Sequence, residues 1–424
     1  MKDKLTYYLI RIFIFPIELL PIKVIHSIGN GLGLIAYFTL IRYRKRTFSN
    51  LALASDLHLS EKEMKKVAKE SFQNLAITCL EYAKFSQMKK TTQVLICENP
   101  DEAEQIIDSG TGLIFFCGHQ ANWEVLFLEG SQRMPGMAIG RPIKNSYLYN
   151  WIIRMREYYG GTIISPKETV KQGFRALKKG NFLGIVGDQA LPESDYSFPF
   201  FGRRAWTNVA PALLAYKAKC PIIVATVKRT KGTYRIRYSK PIYPNQKAPM
   251  EEEIDRLMRK SLHLLEEKIG ETPGQWLWQH NRWKQETPVN VYYRYRWDAI
   301  LIILPKCTSR FKEHLQTFRE IYPLAFITLL TPESCETSLA DTEHLTYKNP
   351  EDLFIRDFRF KLIFNFSGEK KLTKHFLKLS ALEVLDEEKL RQSAAEHLSG
   401  SEDLSLLLKK ALCRPNTIWK KDAD

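Results

Sequence analysis

The sequence lacks the features that most directly identify a function. Its seven cysteines are dispersed through 424 residues and form no CxxC pair, which argues against a disulfide framework and favours reduced thiols in the cytosol. There is no repeat, no low-complexity tract, no complete G-x-G-x-x-G motif and no P-loop. The zinc-finger, RRM and basic-helix signatures of nucleic-acid-binding proteins are absent too. A secreted disulfide scaffold and a recognisable nucleic-acid-binding module are therefore not expected.

Length and charge indicate how many domains the chain has and what kind of partner it binds. A chain of 424 residues exceeds a single comfortable core, so we predict two domains. The formal net charge of +16 favours a polyanionic partner. Residues 1–50 hold eight Lys or Arg and two acidic residues, interspersed with apolar side chains. This mixture favours an anionic membrane surface over nucleic acid as the partner.

The N-terminal region contains an interrupted apolar run. Leu5–Ile25 has the length of a membrane span but contains Pro16 and Pro21, and Gly31–Ile41 is too short to span alone. No small-residue cleavage site follows, and the basic residues within 42–46 would hold the region on the cytoplasmic side. We predict a single anchor or a helix lying in the interface. Alternatively, these apolar residues simply cover the core of a domain.

The most informative segment is Gly112–Glu124, GLIFFCGHQANWE. It predicts a buried strand, Leu113–Cys117, followed by a loop and a helix. His119 lies where the strand ends, and Glu124 follows five residues later. Such a strand end can direct an imidazole into a cleft while a carboxylate holds the ring. The pair suits removal of a proton from an alcohol.

The same two residues have simpler interpretations. A surface histidine beside a solvated glutamate fits the H-x4-E pattern equally well without further context. A metal site is not predicted, because helix-borne zinc ligands prefer spacings of three or four residues. Glu129 lies about 140° round a helix from Glu124, so these two carboxylates would not share a face.

Helix and strand patterns alternate along the first 285 residues. Ser60–Glu63 is a capping box, and Ser165-Pro166 with Gly180 marks the start and end of another helix. Phe182–Val186 and Pro221–Val227 are typical of buried strands. We therefore predict a layered α/β domain with its chemistry at strand ends.

Further blocks follow in a fixed order: GRPIKN (140–145), GDQ (187–189), FPFFGRRAWTNVAPALLA (198–215), CPIIVATVKR (220–229) and QWLWQHNRWK (275–284). In this order the set resembles the lipid A late acyltransferases, the lauroyl and myristoyl transferases of the lysophospholipid acyltransferase superfamily. The resemblance covers roughly residues 1–285. It implies a glycerolipid-acyltransferase-like fold, with membrane helices at 1–46 and an acyltransferase domain at 47–288.

The resemblance also implies a reaction. A fatty acyl group would pass from acyl carrier protein to the hydroxyl of a 3-hydroxyacyl chain on a Kdo-bearing lipid A precursor. This would occur at the cytoplasmic face of the bacterial inner membrane, with no cofactor beyond the thioester donor. His119 would be the general base, and Glu124 would accept the other ring N–H. Acyl carrier protein is acidic and would be attracted to a basic surface.

Substrate-binding residues follow from the matched blocks. Arg141 would stabilise the thioester oxygen or bind phosphate, and Arg156 matches a further family arginine. For both, a solvated surface charge is the alternative. Asp188 matches the first acid of a D-x-D block whose second position is Ala190 here, so we predict Asp188 as the partner of an arginine.

The aromatic block has two interpretations. Phe200, Phe201 and Thr207 match the family's F-F-G block and the polar position after it. They would line an acyl tunnel, or they would be ordinary core residues. Trp276 and Trp278 match the end of the family domain and would lie near the lipid or pack inside the domain.

The last third of the chain extends beyond the resemblance. Apolar runs at Ala299–Leu304, Leu324–Leu330 and Lys361–Phe366, with a helix-like segment at Arg310–Ile321, predict a smaller α/β domain with a parallel sheet at 298–424. Its role stays open.

Two alternative functions also stay open. The same chemistry would serve another glycolipid or a lysophospholipid as acceptor. A non-catalytic lipid- or carrier-binding relative is the second alternative, since one acid is missing and a domain is added.

Overall fold

The computed structural model of the protein describes residues 2–85, 94–306, 309–335, 337, 339–394 and 403–414. The helices are α1 (Lys2–Leu19), α2 (Ile22–Thr39), α3 (Ile41–Leu53), α4 (Glu61–Phe85), α5 (Asp101–Asp108), α6 (Glu124–Arg133), α7 (Ser146–Arg156), α8 (Phe174–Lys178), α9 (Ala210–Ala218), α10 (Met250–Glu271), α11 (Ser309–Lys312), α12 (Leu315–Ile321), α13 (Lys371–Lys378), α14 (Glu387–Ala394) and α15 (Leu404–Leu412). The strands are β1 (Leu95–Cys97), β2 (Leu113–Cys117), β3 (Gly136–Ile139), β4 (Thr162–Ile164), β5 (Phe182–Val186), β6 (Ser197–Phe200), β7 (Arg203–Trp206), β8 (Ile222–Thr230), β9 (Thr233–Tyr238), β10 (Ala299–Ile303), β11 (Phe326–Pro332), β12 (Thr342–Tyr347), β13 (Leu362–Asn365) and β14 (Glu383–Leu385).

The chain divides into two compact units. The first contains the residues up to Leu40 together with Asp56–Arg282, and the second contains Ile41–Ser55 together with the chain from Trp283. The boundary expected at residue 46 therefore falls inside α3. The expected end of the acyltransferase domain at residue 288 lies close to Trp283.

The first unit is built on a seven-stranded sheet with the order β1-β9-β8-β2-β5-β3-β4. Its neighbouring strands are parallel except β8 and β9, which are antiparallel. The central strands β2 and β5 lie side by side, with Leu113 opposite Phe182 and Cys117 opposite Val186. Both strands have the bounds that the sequence predicted. Their carboxyl ends therefore meet at the same edge of the sheet.

Both faces of β2 are buried, as parallel strands require. Phe115 and Cys117 join the core that contains residues of α5 and α6. Ile114 and Phe116 point to the opposite face and are fully buried as well. The residues that follow β2 are therefore attached to a strand that is packed on both faces.

Helix α2 packs one face closely on α4. A Cβ added to Gly29 would lie 2.6 Å from Cγ1 of Ile77, and one added to Gly33 would lie 2.3 Å from Cα of Gln73. The capping box at the start of α4 is confirmed, because the backbone N–H of Ser60 donates to Glu63 and the backbone N–H of Glu63 donates to Ser60. Among the described residues, no single helix combines the length and the hydropathy needed to cross a bilayer, and only α2 and α3 taken together reach both.

The second unit is a smaller α/β structure with a five-stranded sheet in the order β12-β11-β10-β13-β14. Every neighbouring pair is parallel, as predicted. Helix α3 belongs to this unit, since the Phe48 ring lies 5.3 Å from that of Phe358 and the hydroxyl of Ser49 donates to the carbonyl of Arg359 at 2.6 Å.

Some details of the second unit differ from the prediction. The single helix predicted at Arg310–Ile321 is divided into α11 and α12. Cys307 and residues 415–424, which were also assigned to this domain, lie outside the described residues. The cysteines that the structure describes are free thiols.

Candidate active site

His119 and Asp188 meet at the carboxyl edge of the large sheet. His119 follows β2 and Asp188 follows β5, so the parallel pairing of these strands brings two residues together that are far apart in the sequence. Nδ1 of His119 lies 2.6 Å from Oδ1 of Asp188, and the backbone N–H of His119 donates to Oδ2 at 2.7 Å. The carboxylate thus fixes both the ring and the loop that carries it.

Asp188 is ionised in this position. Burial by itself would raise its pKa, but the charge of His119, the hydrogen bonds from its ring and backbone and a hydrogen bond from Trp276 lower the pKa of Asp188 to about 2. Trp276 Nε1 donates to Oδ2 at 2.7 Å. A buried carboxylate that accepts several hydrogen bonds and sits beside an imidazole stabilises the protonated ring.

The hydrogen-bond pattern favours one tautomer of His119. Because the ionised Asp188 can only accept, Nδ1 carries the proton, and Nε2 is left as the acceptor. The side-chain amide of Gln189 lies 3.1 Å from Nε2, and the ring of Trp123 packs edge-on at 4.6 Å between centroids. Nε2 is therefore positioned to receive a proton from a group in the adjacent cavity.

The expected hydrogen bond between His119 and Glu124 is absent from the described structure. Glu124 starts α6 and is turned toward Arg156, whose Nη2 and Nε donate to its two oxygens at 2.5 and 2.7 Å. Tyr82 donates to Oε1 at 2.5 Å. The predicted contact was wrong for two reasons. Asp188, at the end of the neighbouring strand β5, already bonds Nδ1 of His119, and Glu124 faces α4 and α7.

The prediction that an arginine is the partner of Asp188 was also wrong, because no arginine hydrogen-bonds to it among the described residues. Its side-chain hydrogen bonds are made with His119 and Trp276. The buried Arg282 interacts with Asp188 only through its charge, and burial lowers the pKa of Arg282 to about 10 in spite of that attraction. A metal is not implied by the geometry, as the described residues contain no group of three His, Cys, Asp or Glu side chains placed to hold one.

A cavity of about 490 Å³ opens beside His119. Glu124, Arg141 and Arg156 line it together with His119, so four of the predicted site residues share one cavity. Arg141 is exposed, and its side chain makes no hydrogen bond or ion pair with the described residues. Most of the other lining side chains are apolar: Phe115, Trp123, Leu126, Phe127, Ala138, Ile139, Ile163, Phe182, Ile185 and Leu191. An apolar cavity with a few convergent polar groups is typical of a ligand site.

The buried Glu124 and the half-buried Arg156 form an ion pair in the cavity wall. Arg156 holds its charge because the carboxylate of Glu124 outweighs the effect of burial, which alone would lower its pKa. Burial and the neighbouring Glu124 raise the pKa of Tyr82 well above its usual value, so its hydroxyl is a donor. The three side chains form one hydrogen-bonded cluster in the wall of the cavity.

Phe200, Phe201 and Thr207 lie outside the lining of this cavity. Phe200 is fully buried against the guanidinium of Arg282, 4.7 Å from the ring centroid, and Thr207 accepts a hydrogen bond from Arg282 at 2.7 Å. Of the two interpretations of the aromatic block, the structure confirms that these side chains are core residues. Trp276 also packs inside the unit, 5.8 Å from the Phe200 ring.

Sequence reasoning missed Tyr82, Trp123, Gln189 and the contact of Trp276 with Asp188. Gln189 and Trp123 lie beside predicted site residues in the sequence, and that proximity was the only available signal. Tyr82 lies on α4, where it is one of several aromatic and apolar residues of an amphipathic helix. Nothing in the sequence separates it from its neighbours.

The first two thirds of the chain are similar to known proteins. A family model described as bacterial lipid A biosynthesis acyltransferase matches residues 2–285. A lipid A biosynthesis lauroyltransferase of Escherichia coli strain K12 is 24% identical over 283 residues, which are 65% of this chain and 90% of that protein. A lipid A biosynthesis palmitoleoyltransferase of the same strain is 25% identical over 273 residues, covering 62% of this chain and 86% of that protein.

A lipid A biosynthesis acyltransferase of Shigella flexneri gives the same identity and coverage as the palmitoleoyltransferase. The matched region contains the whole first unit, including the loop of His119 and the strand end of Asp188. The chain belongs to the bacterial lipid A biosynthesis acyltransferase family and is an O-acyltransferase.

Proposed function

We propose that the protein transfers a fatty acyl group from an acyl carrier protein thioester to a 3-hydroxyacyl hydroxyl of a Kdo-bearing lipid A precursor. His119 acts as the general base. The observation that carries this proposal is the His119–Asp188 pair, held at 2.6 Å at the edge of an apolar cavity. The family membership supplies the reaction class, and the pair supplies a group that can remove the hydroxyl proton.

The mechanism follows from the tautomer. Nε2 of His119 takes the proton of the acceptor hydroxyl as its oxygen attacks the thioester carbonyl, and Asp188 stabilises the imidazolium that forms. The imidazolium then returns the proton to the departing thiolate of the carrier. The Gln189 amide, 3.1 Å from Nε2, moves aside for the hydroxyl or bonds the attacking oxygen.

The two cavity arginines have different roles in this proposal. Arg141 is exposed and unpaired among the described residues, so it is available for a phosphate of the acceptor or for the developing oxyanion. Arg156 is already paired with Glu124 and shapes the cavity wall. Glu124 is therefore a positioning residue that acts through Arg156.

The apolar side chains that line the cavity suit a fatty acyl chain. Both α1 and α2 also expose large apolar side chains to solvent, among them Phe13 at 78%, Leu19 at 71% and Ile35 at 60%. Exposed apolar helix faces that carry basic residues bind anionic bilayers. We propose that these faces hold the enzyme on the cytoplasmic side of the inner membrane, where carrier and lipid meet.

The reaction is tested with the purified full-length protein. Acyl carrier protein thioesters of several chain lengths are offered with a Kdo-bearing lipid A precursor or with lysophospholipids, and products are read by mass spectrometry. One added acyl mass on the precursor, reduced about 10²–10⁴-fold in His119→Ala, is expected. Acylation of a lysophospholipid alone would replace the acceptor, and no transfer to any acceptor by folded protein would overturn the proposal.

The membrane role is tested by substitution. Deleting the N-terminal helices would remove the face of α2 that packs on α4, so a loss of binding could not be separated from unfolding. Ile12→Asp with Phe13→Asp changes only exposed side chains and is expected to release the protein from floating vesicles. Unchanged flotation of the double variant would exclude this face as the membrane contact.

A further inference from the structure

The first unit contains a second, larger cleft of about 900 Å³. Its walls come from α2, α4, the turn between β8 and β9, and the residues that follow α10. Among the described residues, none that line this cleft also line the cavity of His119. The proposed reaction therefore leaves this cleft without a role.

Two lysines of the cleft have no acidic partner among the described residues. Lys23 and Lys231 are exposed on adjacent segments, because a Cβ added to Gly232 would lie 3.3 Å from Cγ of Lys23. Neither lysine side chain makes a hydrogen bond or ion pair with the described residues. Of the acidic side chains in the walls, Glu70 pairs with Lys66 and Glu271 with Lys268, whereas Glu63 accepts a hydrogen bond from the neutral Ser60 and keeps its charge.

The base of the cleft is a fixed polar network. Glu81 is fully buried, and its Oε1 lies 2.5 Å from Nε2 of His26. The guanidinium of Arg229 donates to Asn74 and, at 3.2 Å, to the hydroxyl of Tyr234, and its Nη1 lies 3.7 Å from Oε2 of Glu81. Both His26 and Arg229 line the cleft, and Glu81 holds both side chains in place. Such an arrangement binds an anion without having to order its own side chains first.

An exposed apolar surface borders the cleft. Lys23 and His26 lie on α2, and the same helix exposes Val24 at 41%, Ile28 at 39% and Leu32 at 47%. A ligand that carries a phosphate on an apolar anchor matches both surfaces. We propose that this cleft binds the phosphate group of a lipid, with Lys23 and Lys231 as its main contacts and Arg229 and His26 beneath them.

The test uses soluble short-chain probes with the full-length protein in a phosphate-free detergent. Dihexanoyl phosphatidic acid carries both phosphate and chains, glycerol 3-phosphate carries only the phosphate, and dihexanoylglycerol carries only the chains. Affinities are measured by titration calorimetry for the wild type and for Lys23→Ala/Lys231→Ala. A matched control is Lys217→Ala/Lys260→Ala, which removes two exposed lysines outside the cleft. Circular dichroism checks that each variant is folded.

Binding of dihexanoyl phosphatidic acid is expected to weaken about tenfold or more in the cleft variant and to stay unchanged in the control. Dihexanoylglycerol is expected not to bind measurably. If glycerol 3-phosphate binds as tightly as dihexanoyl phosphatidic acid, the ligand is a free phosphate compound and the proposal of a lipid is overturned. Equal binding by wild type and cleft variant would overturn the site. His119→Ala is expected to bind like the wild type, which separates this result from any failure of acyl transfer.

Discussion

Each unit holds a hydrogen-bonded pair of titratable side chains at one end of its main sheet, the carboxyl end in the first unit and the amino end in the second. In the first unit His119 and Asp188 follow the paired strands β2 and β5, beside a cavity. In the second unit Asp298 and Lys361 precede the paired strands β10 and β13, with Nζ 2.5 Å from Oδ1 and side-chain exposures of 3% and 0%. Ligand sites of parallel sheets form at carboxyl ends. The first pair is thus placed for chemistry and the second for stability.

The largest effect is expected when the pair of His119 and Asp188 is broken. In Asp188→Asn the carboxamide no longer enforces the Nδ1–H tautomer or stabilises the imidazolium, so kcat should fall about 10³-fold or more while folding is retained. Asp188→Glu should recover part of the loss, and the pH–rate profile should shift. Acyl-transfer kinetics over a pH range measure both. A kcat within a few-fold of wild type would remove Asp188 from the mechanism.

Breaking the second pair should affect stability and leave chemistry intact. Lys361→Met leaves the Asp298 carboxylate buried without its partner, which costs about 3–5 kcal/mol. Adding Asp298→Leu should recover most of this loss, because a well-packed apolar pair replaces both charges. Calorimetric unfolding of the full chain measures the effect, and acyl transfer per folded molecule should not change. Loss of activity in the folded double variant would show that the second unit participates in the reaction.

Acid should weaken the first pair in a defined window. The pKa of Asp188 is lowered from 3.8 to about 2. The ionised carboxylate therefore contributes fully to the free energy of unfolding above about pH 4, and this contribution disappears as the pH falls toward 2. The contribution is about 2 kcal/mol. Urea unfolding at pH 5, 4, 3 and 2.5 should show the difference between wild type and Asp188→Asn shrinking over this interval. A difference that is constant with pH would contradict the assignment of an ionised Asp188.

The sequence predicted His119 but not its partner, and the reason is physical. A residue after a buried strand is recognisable from the local pattern. Its partner depends on which strand lies alongside, and Asp188, which follows that strand, is 69 residues from His119 in the chain. Glu124 was nearer in the sequence, yet its helix turns it toward Arg156. The parallel sheet of the second unit was predictable because buried parallel strands are continuous apolar runs.

The aromatic block marks another limit of the sequence. Phe200 and Phe201 are apolar in any environment, so their pattern does not distinguish a tunnel wall from a core. In the structure Phe200 packs on the buried Arg282, and the backbone N–H of Phe201 donates to Glu266. These partners come from the end of α10 and the segment after it, and only the folded chain brings them together.

The smallest effect is expected from the pair of Glu124 and Arg156, which line the same cavity as His119. Glu124→Gln leaves Arg156 with a neutral acceptor in place of a carboxylate, so the cavity wall loosens while the His119–Asp188 pair is untouched. We expect catalytic efficiency to fall about tenfold, chiefly through KM, with an unchanged pH–rate profile. A neutral acceptor remains, so the loss should lie near the lower end of the range of about 1.5–3 kcal/mol for a charged hydrogen bond. Steady-state kinetics of Glu124→Gln, Arg156→Lys and the double variant measure the coupling. A loss as large as that of Asp188→Asn, with a shifted pH profile, would instead assign Glu124 to the proton-transfer step, because only a group coupled to His119 changes the titration of the base.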